Sequence, residues 1–377
     1  MMEPLHICLD DRKRAVLAAM AQAGLDLLVI GSNGLNHIDQ SNPVAHLTHF
    51  RSIGPSLLLL DASGATTMLA NPRDDAERIA AYRFDACEAT NDLAAAFDKH
   101  LPTQANRLGL VGLRAMPRKL IGAIAPATAH AVDFTDIFMR VTARKTSHEI
   151  AAARRAVAIA EKGLTKLLAG THPGRRECDL ALEVNLTMKA LGADDCFLML
   201  NAGPRADAVM PSTERRIEAG DLILCELSPS VDGQYVQICR TISVGAPAPI
   251  VVGKYALLVA AMHEGIARVK PGARMGDVCA AIDDHLSNAG YAQYSRPPFI
   301  RRRGHGLGSG SFSPGDVAVD NAAILEPGMV FVVHPNQFLP ETGYMMCGEP
   351  VLVTHTGVEI LSLERARLIV AGPEARA

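Results

Sequence analysis

The sequence lacks the patterns that would direct the protein out of the cytosol. Its eight cysteines are scattered without any CxxC pair, which favours free thiols in a reducing compartment over a disulfide framework or a zinc site. The N-terminus lacks the continuous apolar core of a signal peptide, and no apolar run reaches the length of a membrane span. The sequence therefore predicts a cytoplasmic protein with no membrane partner.

An excess of charge of either sign is missing as well. The 377 residues carry a formal net charge of −3, with 20% charged and 49% hydrophobic residues. This balance favours neither nucleic acid nor an anionic membrane surface as a partner. The three arginines at residues 301–303 are too few to change this, since a solvated loop explains them as well as an anion site does. A chain of this length can form two domains with separate cores.

Two kinds of pattern follow each other along the chain. Up to about residue 134, short apolar strands alternate with amphipathic helices, and no glycine-rich phosphate loop is present. This alternation indicates a mixed α/β domain. A capping box at Thr146 and Glu149 then begins a long amphipathic helix. We therefore predict an α+β protein with one domain over residues 1–140 and a second over residues 141–377.

The second domain contains an internal repeat. The stretch HPGRRECDLALEVNLTMKALG, with Pro173, matches KPGARMGDVCAAIDDHLSNAG, with Pro271, and the proline, glycine and arginine positions fall in register. Each copy is predicted to form a helix, a Pro-Gly turn and a second helix, followed by apolar strands. Two similar halves of this kind generate a pseudo-two-fold axis.

Residues 218–241 are predicted to form a β-hairpin whose first strand carries Glu226 and whose second presents Gln237 and Arg240. A near-copy of its first half follows about a hundred residues later as EPGMVFVVHP. Aligned on each other, the copies place Glu226 and His334 at the same position. Because binding sites often lie between internal repeats, we expect this pair to share one cleft. Two similar hairpins without a common cleft are the alternative.

A histidine between glycines lies between these two hairpins, in the sequence GHGLG of residues 304–308. The glycines leave no neighbouring side chains to crowd His305, and they let the backbone approach a ligand closely. An exposed histidine is the alternative for such a loop taken alone. Because histidines titrate near neutral pH, His305 and His334 are candidate general acids or bases, with Glu226 as the third catalytic group.

These motifs together resemble the pita-bread fold of the creatinase, aminopeptidase P, prolidase and methionine aminopeptidase superfamily. The resembling stretches are GDLIL with DGQYVQICRT, GHGLG, EPGMVF and VLVT. The stretches RKTSHEIAAARRA and RKRAVLAAMAQAGLDLLVI resemble the creatinase and aminopeptidase P branch. The resemblance covers nearly the whole chain, and it implies an N-terminal creatinase-like α/β domain and a C-terminal pita-bread catalytic domain.

Peptidases of this superfamily bind two divalent metals through two aspartates, a histidine and two glutamates. The resemblance carries these ligands onto Glu226, Gln237, His305, His334 and Gly348. Only His305 keeps the family's residue. Gln237 is neutral where a bridging carboxylate would offset the charge of two cations, and Gly348 offers no side-chain ligand. The sequence therefore predicts a protein without the dinuclear centre and without a cofactor.

The resemblance to creatinase implies metal-independent hydrolysis, or a lyase reaction, at a C–N bond of a small polar nitrogen compound. The predicted catalytic residues are Glu226, His305 and His334, and the predicted substrate-binding residues of the same domain are Gln237, Arg240 and Glu349. For Arg240 the alternative is an ion pair within the sheet. For Glu349 it is a side chain that points away from the cleft, because neighbouring residues of a strand face opposite sides.

The resemblance also implies a homodimer in which a loop of the N-terminal domain reaches the neighbouring subunit's cleft. The corresponding stretch is NPVAHLTHFRSIG, which supplies His46, His49, Phe50 and Arg51 as candidates. We predict that Phe50 and Arg51 bind substrate. The alternative places Phe50 in the core and leaves Arg51 as a surface charge.

Three other functions stay open. A mononuclear iron or zinc enzyme would use Glu226, His305 and His334 as its ligands. An Xaa-Pro aminopeptidase-like metallopeptidase is the function that the whole-chain resemblance implies. A non-catalytic pita-bread binding protein would explain the lost ligands. In the catalytic cases the partner is a small-molecule substrate, whose identity the sequence does not give.

Overall fold

The structure is a computed structural model that describes residues 5–372, except residues 36, 39, 41, 104–105 and 310–312, and it describes side chains from residue 9 onward. Contacts between residues divide the chain into two compact units, Met1–His148 and Glu149–Ala377. The sequence predicts a boundary after residue 140, which lies near the end of the last helix of the N-terminal unit, Thr135–Val141.

A six-stranded sheet forms the centre of the N-terminal unit. Its strands are β1 (Leu27–Ser32), β2 (Ser56–Asp61), β3 (Thr66–Ala70), β4 (Ala86–Ala89), β5 (Leu108–Val111) and β6 (Val132–Asp133), in the order β4-β3-β2-β1-β5-β6. The central strand β1 pairs antiparallel with β2 and parallel with β5. Alternate residues of β1 pack into two different core clusters, Leu28 with Ile30 and Leu27 with Val29. Both faces of the sheet are therefore covered, which explains the uninterrupted apolar sequence of β1.

Helices and short 3₁₀ turns connect these strands. The helices are α1 (Leu5–Ala23), α2 (Pro43–Thr48), α3 (Ala76–Ala80), α4 (Leu93–His100), α5 (Arg118–Thr128) and α6 (Thr135–Val141), and the 3₁₀ turns are Arg73–Asp75 and Leu113–Ala115. Asn42 and Asp92 cap α2 and α4 by accepting from backbone N–H groups in the first turn of each helix. Local capping thus begins these two helices where the chain leaves a loop.

The C-terminal unit consists of two similar halves. The first half contains α7 (Ser147–Gly170), α8 (Glu177–Ala190), β7 (Asp195–Gly203), β8 (Leu222–Val231), β9 (Gln234–Tyr235) and β10 (Ile238–Val244). The second contains α9 (Pro249–Ile266), α10 (Met275–Leu286), a π-helical turn (Ser287–Tyr291), a 3₁₀ turn (Ala292–Tyr294), β11 (Gly304–Gly306), β12 (Val330–Val333), β13 (Gln337–Leu339), β14 (Gly343–Met345), β15 (Glu349–Val353), β16 (Val358–Ile360) and β17 (Ile369–Ala371). Each half is thus a pair of helices followed by a mainly antiparallel sheet.

The sheets of this unit are ordered β17-β10-β8-β7, with β9 beside β8, and β11-β12-β15-β16, and a separate hairpin pairs β13 with β14. An antiparallel bridge between Cys239 and Gly348 links the two larger sheets. Its two N–H···O bonds have N···O distances of 3.3 and 3.1 Å. The predicted site residues lie on both sides of this bridge.

Equivalent backbone contacts in the two halves confirm the internal repeat. Gly174, at φ 87°, donates to the carbonyl of Ile217 at 2.8 Å, and Gly272, at φ 85°, donates to the carbonyl of Leu325 at 2.9 Å. Both glycines follow the repeated prolines, and their positive φ is a conformation that glycine adopts without steric cost. The same offset that relates Ile217 to Leu325 relates Glu226 to His334.

Helix α9 has the length and mean hydropathy, 1.2, of a membrane span, although no such run was expected from the sequence. Of this 18-residue segment, 33% is buried inside the protein. The helix packs against α10, and Leu258 and Ala261 are fully buried. Core helices of water-soluble proteins pass the same test, so this single helix is weak support for a membrane segment.

Candidate active site

The hairpin of β8 and β10 forms one side of the candidate site. Asp232 and Gly233 have φ of 50° and 77°, the positive values that a two-residue hairpin turn requires. The resulting register places Glu226 directly opposite Cys239, so their side chains share one face of the sheet. Gln237, two residues before Cys239, lies on the side of the strand to which Cys239 points.

Two histidines form the other side. His305 lies in β11 opposite Val332 of β12, and His334 follows the end of β12. Their ring centroids are 5.3 Å apart at an interplanar angle of 68°. Both residues are buried, with 4% and 7% of their surface exposed. Strand β12 therefore brings His334 into edge contact with His305.

Gly348 lies between the two sides. Val333 pairs with Glu349, so the next position of the ladder brings Gly348 opposite His334. A Cβ atom on Gly348 would lie 2.8 Å from the Cβ of His334 and 3.0 Å from the Sγ of Cys239. No side chain fits at this position, because His334 and Cys239 already fill the space.

Glu226 and His334 are thus the ends of a row that runs across four strands through Cys239 and Gly348. Three strand spacings separate their Cα atoms by roughly 14 Å. The two side chains share a face of the joined sheets but cannot touch each other. A small molecule lying over Gly348 would contact both.

Two buried polar atoms in this cleft have no hydrogen-bond partner within the described part of the chain, Gln237 Oε1 and His334 Nδ1. Gln237 is only 2% exposed, and its Nε2 atom donates to Cys239 Sγ at 3.6 Å. A buried acceptor left unpaired costs about 1–3 kcal/mol. A bound ligand that donates an N–H or O–H group to these atoms would recover that energy, so we take this cleft as the candidate binding site.

The hydrogen bond of His305 assigns its tautomer. Its Nδ1 lies 3.0 Å from the carbonyl oxygen of Gly306, which can only accept a hydrogen bond. Nδ1 must therefore carry the proton, and Nε2 of the neutral ring is the basic nitrogen. This arrangement assigns any proton acceptance by the ring to Nε2.

His334 is held in its neutral form. Burial lowers its pKa well below the ordinary value of 6.5, and the positive charges of Arg302 and Arg303, with that of His305 when it is protonated, add to this effect. At neutral pH the ring is therefore uncharged, and its Nδ1 is enclosed by protein without a hydrogen-bond partner among the described residues.

The depressed pKa of His334 predicts a loss of stability in acid. Below about pH 6.5 the unfolded chain binds a proton at this residue that the folded protein does not bind. Stability should therefore fall as the pH falls below 6.5, by at most ~1.4 kcal/mol per pH unit from this group. Urea unfolding of the wild type and His334→Gln at pH 7.5, 6.5 and 5.5 measures this, since the variant lacks the linked proton. Parallel pH profiles for the two proteins would contradict the prediction.

Arg240 and Glu349 bind each other rather than face the cleft. Both residues have no exposed surface, and Arg240 Nη2 lies 3.2 and 3.3 Å from the two carboxylate oxygens of Glu349. Arg240 also donates to the carbonyl of Gly348, and Glu349 accepts from Ser362 and from the backbone of Ala366. We therefore assign this pair a structural role, in place of the substrate binding predicted from the sequence.

The loop residues of the N-terminal unit are held within that unit. Phe50 is 1% exposed and packs edge-on against Tyr82 and Phe84, so it is a core residue and not a free substrate contact. His46 is buried and hydrogen-bonds the carbonyl of Thr142. Arg51 is partly exposed. A contribution of Arg51 or His49 to a neighbouring subunit, and the homodimer itself, stay predictions.

The structure adds site residues that the sequence did not reveal. Cys239 lies between Glu226 and Gly348 in the row across the cleft. In the sequence, only its position two residues after Gln237 could have indicated that the two side chains lie on the same side of the strand. Tyr344, in the β13–β14 hairpin, accepts a hydrogen bond from Asn336, and no sequence signal marks it. Burial raises the pKa of Tyr344, as does the neighbouring charge of Glu226, so its phenol stays protonated beside that carboxylate.

Comparison with known proteins gives a consistent result. Residues 151–355, more than half of the chain, match the sequence profile of metallopeptidase family M24. The chain is 30% identical over 229 residues to the uncharacterized peptidase YqhT of Bacillus subtilis, a match that covers 60% of this chain and 64% of that one. It is 29% identical over 226 residues to the probable dipeptidase PepE of Mycobacterium tuberculosis, covering 59% of each chain. The matches thus span less than two thirds of these relatives.

Solved structures match over nearly the whole chain. Dipeptidase PepE from Mycobacterium ulcerans has a TM-score of 0.82 at 25% identity, covering 98% of this chain and all of that one. The prolidase from Pyrococcus horikoshii has a TM-score of 0.84 at 20% identity, covering 95% of this chain. These matches confirm the predicted superfamily and the predicted fold, an N-terminal α/β domain followed by a pita-bread domain.

The prediction that the protein uses no cofactor is wrong, because the matching family consists of metallopeptidases. The residues that the structure describes nevertheless do not fit a dinuclear centre. No group of three or more His, Cys, Asp or Glu side chains among them is placed to hold a metal ion. Glu226, His305 and His334 are therefore not assembled as the predicted mononuclear triad, and a side chain at position 348 would collide with His334.

Proposed function

Because the chain belongs to metallopeptidase family M24, we propose that it hydrolyses the amide bond of a small, dipeptide-like substrate in the cleft between Glu226 and His334. The observation that carries this proposal is the pair of buried, unpartnered atoms, Gln237 Oε1 and His334 Nδ1, beside His305. The probable dipeptidase PepE and a solved PepE structure are among the relatives. A dipeptide also has the length to span the row from Glu226 to His334.

The side chains suggest a division of roles. His305 Nε2 accepts the proton of the water that attacks the carbonyl carbon, and it returns that proton to the nitrogen released when the C–N bond breaks. Gln237 Oε1 accepts an N–H of the substrate, and Glu226 attracts a positively charged amino group. His334, neutral in its buried position, hydrogen-bonds the substrate through Nδ1.

Hydrolysis of a C–N bond in a non-peptide nitrogen compound is the second candidate. Gln237 favours it, because a neutral amide acceptor serves the N–H group of a guanidino acid as well as that of a peptide. The two candidates use the same cleft and differ only in the substrate.

A substrate panel tests the proposal. The purified protein is incubated with Ala-Phe, Ala-Pro and a guanidino acid, after chelation and again with added Mn²⁺, Zn²⁺ or Fe²⁺, so that any metal requirement is measured directly. We expect release of free amino acids from Ala-Phe. Hydrolysis of the guanidino acid alone would select the second candidate, and a folded protein that cleaves no substrate under any condition would refute both.

A matched pair of variants tests the role of Gln237 in this assay. Gln237→Met removes the acceptor at nearly constant volume, and we expect kcat/KM to fall roughly tenfold to a hundredfold. Gln234→Met is the control, because Gln234 is also buried with an unpartnered Oε1 but lies at the hairpin turn. Equal losses in the two variants would show that Gln237 has no particular role.

A further inference from the structure

A cavity of about 410 Å³ lies at the Pro-Gly turn of the first half of the C-terminal unit. Three arginines and a histidine line it, together with two acidic residues: Arg175, Arg176, Arg216, His172, Asp179 and Glu183. None of these residues belongs to the row from Glu226 to His334. Cavities of about 300–1,000 Å³ hold small molecules in proteins. This arginine cavity is therefore large enough for a ligand of its own, outside the candidate active site.

The two carboxylates of the arginine cavity do not neutralise all of its cations. Arg176 binds Asp179 through two N–H···O bonds of 2.8 Å. Glu183 lies between two cations, with one oxygen 2.5 Å from Arg175 Nη2 and the other 3.1 Å from Lys166 Nζ. One carboxylate thus serves two positive charges there, and the cavity keeps an excess of positive charge.

Arg216 is the cation of this cavity without a carboxylate. It donates to the carbonyl of Gly174 at 2.7 Å, and it forms no ion pair with any residue that the structure describes. A third carboxylate nearby, Glu214, approaches Arg176 at 3.8 Å and is 88% exposed. Nε of Arg175 is buried and has no hydrogen-bond partner among the described residues. Burying a donor of a charged group without an acceptor is unfavourable, and an anion in the cavity supplies acceptors.

The second half of the unit forms the same turn without two of these arginines. Ile324 forms there the isolated antiparallel bridge that Arg216 forms in the first half. The alignment of the two copies places Ala273 at the position of Arg175. Because alanine and isoleucine are compatible with this turn, the turn does not require the charges of Arg175 and Arg216. The two arginines add positive charge to a backbone that forms without it.

We propose that the arginine cavity binds the phosphate group of a small organic phosphate, with Arg175 and Arg216 as the phosphate-binding residues and Leu182 as the contact for its apolar part. Guanidinium groups bind phosphate through two parallel N–H···O bonds. A phosphate ester carries about 1.5–2 negative charges at pH 7, so it matches a cluster of cations better than a single carboxylate does. Leu182 lines the same cavity and is 59% exposed. The site is separate from the cleft proposed for amide hydrolysis.

Two probes of nearly equal shape test the site by isothermal titration calorimetry at pH 7.5. Phenyl phosphate is mainly a dianion at this pH, whereas phenyl sulfate carries a single negative charge. We expect the wild type to bind phenyl phosphate about tenfold more tightly than phenyl sulfate. Arg216→Ile should weaken the binding of phenyl phosphate by about tenfold to a hundredfold, because hydrogen bonds from a charged group are lost.

Three details of the variants keep this test specific. Arg216→Ile reproduces the residue that the second half has at this position, so it should fold, and circular dichroism verifies this. Arg216→Lys keeps the charge but not the paired N–H donors, so its affinity should lie between those of the wild type and Arg216→Ile. Arg268→Ile is the control, an exposed arginine in the turn after α9 that does not line the cavity, and it should keep the wild-type affinity.

Equal affinity of the wild type and Arg216→Ile for phenyl phosphate, or no binding by the wild type, would overturn the site. Inorganic phosphate distinguishes the free ion from an organic phosphate. We expect it to bind more weakly than phenyl phosphate, and Leu182→Ser to remove that difference. Equal binding of the two phosphates by the wild type would refute the contact with Leu182. Because these measurements need no turnover, their outcome does not depend on whether the cleft hydrolyses amides.

Discussion

Replacement of Glu349 by glutamine is expected to lower the free energy of unfolding by about 3–5 kcal/mol. Both members of the Arg240–Glu349 pair are fully buried, so the variant leaves a guanidinium charge in the interior without its counter-charge. The carboxylate also accepts from Ser362 and from Ala366 N, and these bonds hold the segment after β16 against the sheet. Denaturant unfolding at pH 7 measures the loss.

Glu359→Gln is the matched control for this experiment. Glu359 binds Arg154, but their side chains are 37% and 49% exposed, so solvent screens this pair. The same chemical change should cost only about 0–1 kcal/mol there. The double variant Arg240→Met/Glu349→Leu should regain much of the stability, because it leaves no buried charge. A loss at Glu349 no larger than that at Glu359 would show that the buried pair contributes little.

The fold follows from patterns that lie within short stretches of sequence. The Pro-Gly turns of the repeat at Gly174 and Gly272, and the turn at Asp232 and Gly233, each require particular backbone conformations that a few residues determine. Because the two copies of the repeat can be aligned, the equivalence of Glu226 and His334 could be predicted from the sequence.

The roles of individual charged residues were harder to predict, because they depend on partners far away in the sequence. Arg240 finds Glu349, 109 residues later, and the two neutralise each other within the interior. Arg303, which the sequence left open between a solvated loop and an anion site, is 1% exposed and binds Asp283 and the carbonyl of Asn336. Strand alternation correctly indicated that Glu349 and Gly348 face opposite sides, but not what would cover each side.

The cofactor prediction failed for a different reason. Gln237 and Gly348 showed which ligands of the dinuclear centre are missing. These two positions do not show whether the family as a whole requires a metal ion. The structure agrees that position 348 supplies no side-chain ligand, because a Cβ atom on Gly348 would meet His334 and Cys239. Family membership indicates a metal requirement, whereas the described residues of the cleft do not fit a dinuclear centre. Activity after chelation, compared with activity after metal addition in the substrate panel, measures whether the reaction needs a metal.

Replacement of His305 by glutamine should reduce kcat for the amide substrate by roughly 10²–10⁴-fold, the usual contribution of a general base. Gln keeps the approximate size and polarity of the side chain but cannot take a proton, whereas Nε2 of His305 is basic because Nδ1 donates to Gly306. KM should change little, since the proposed substrate contact at Gln237 is untouched. Steady-state kinetics on Ala-Phe, with circular dichroism to verify folding, gives both constants.

His355→Gln is the control, because it makes the same replacement at an exposed histidine in the turn after β15. It should leave kcat unchanged. His334→Gln separates the two buried rings: as a neutral ligand-binding group, His334 should affect KM more than kcat, and only the His305 variant should alter the acidic limb of the pH–rate profile. If His305→Gln retains more than about a tenth of wild-type kcat, His305 is not the general base. The proton would then have to pass to another group of the cleft, Glu226 or the neutral His334.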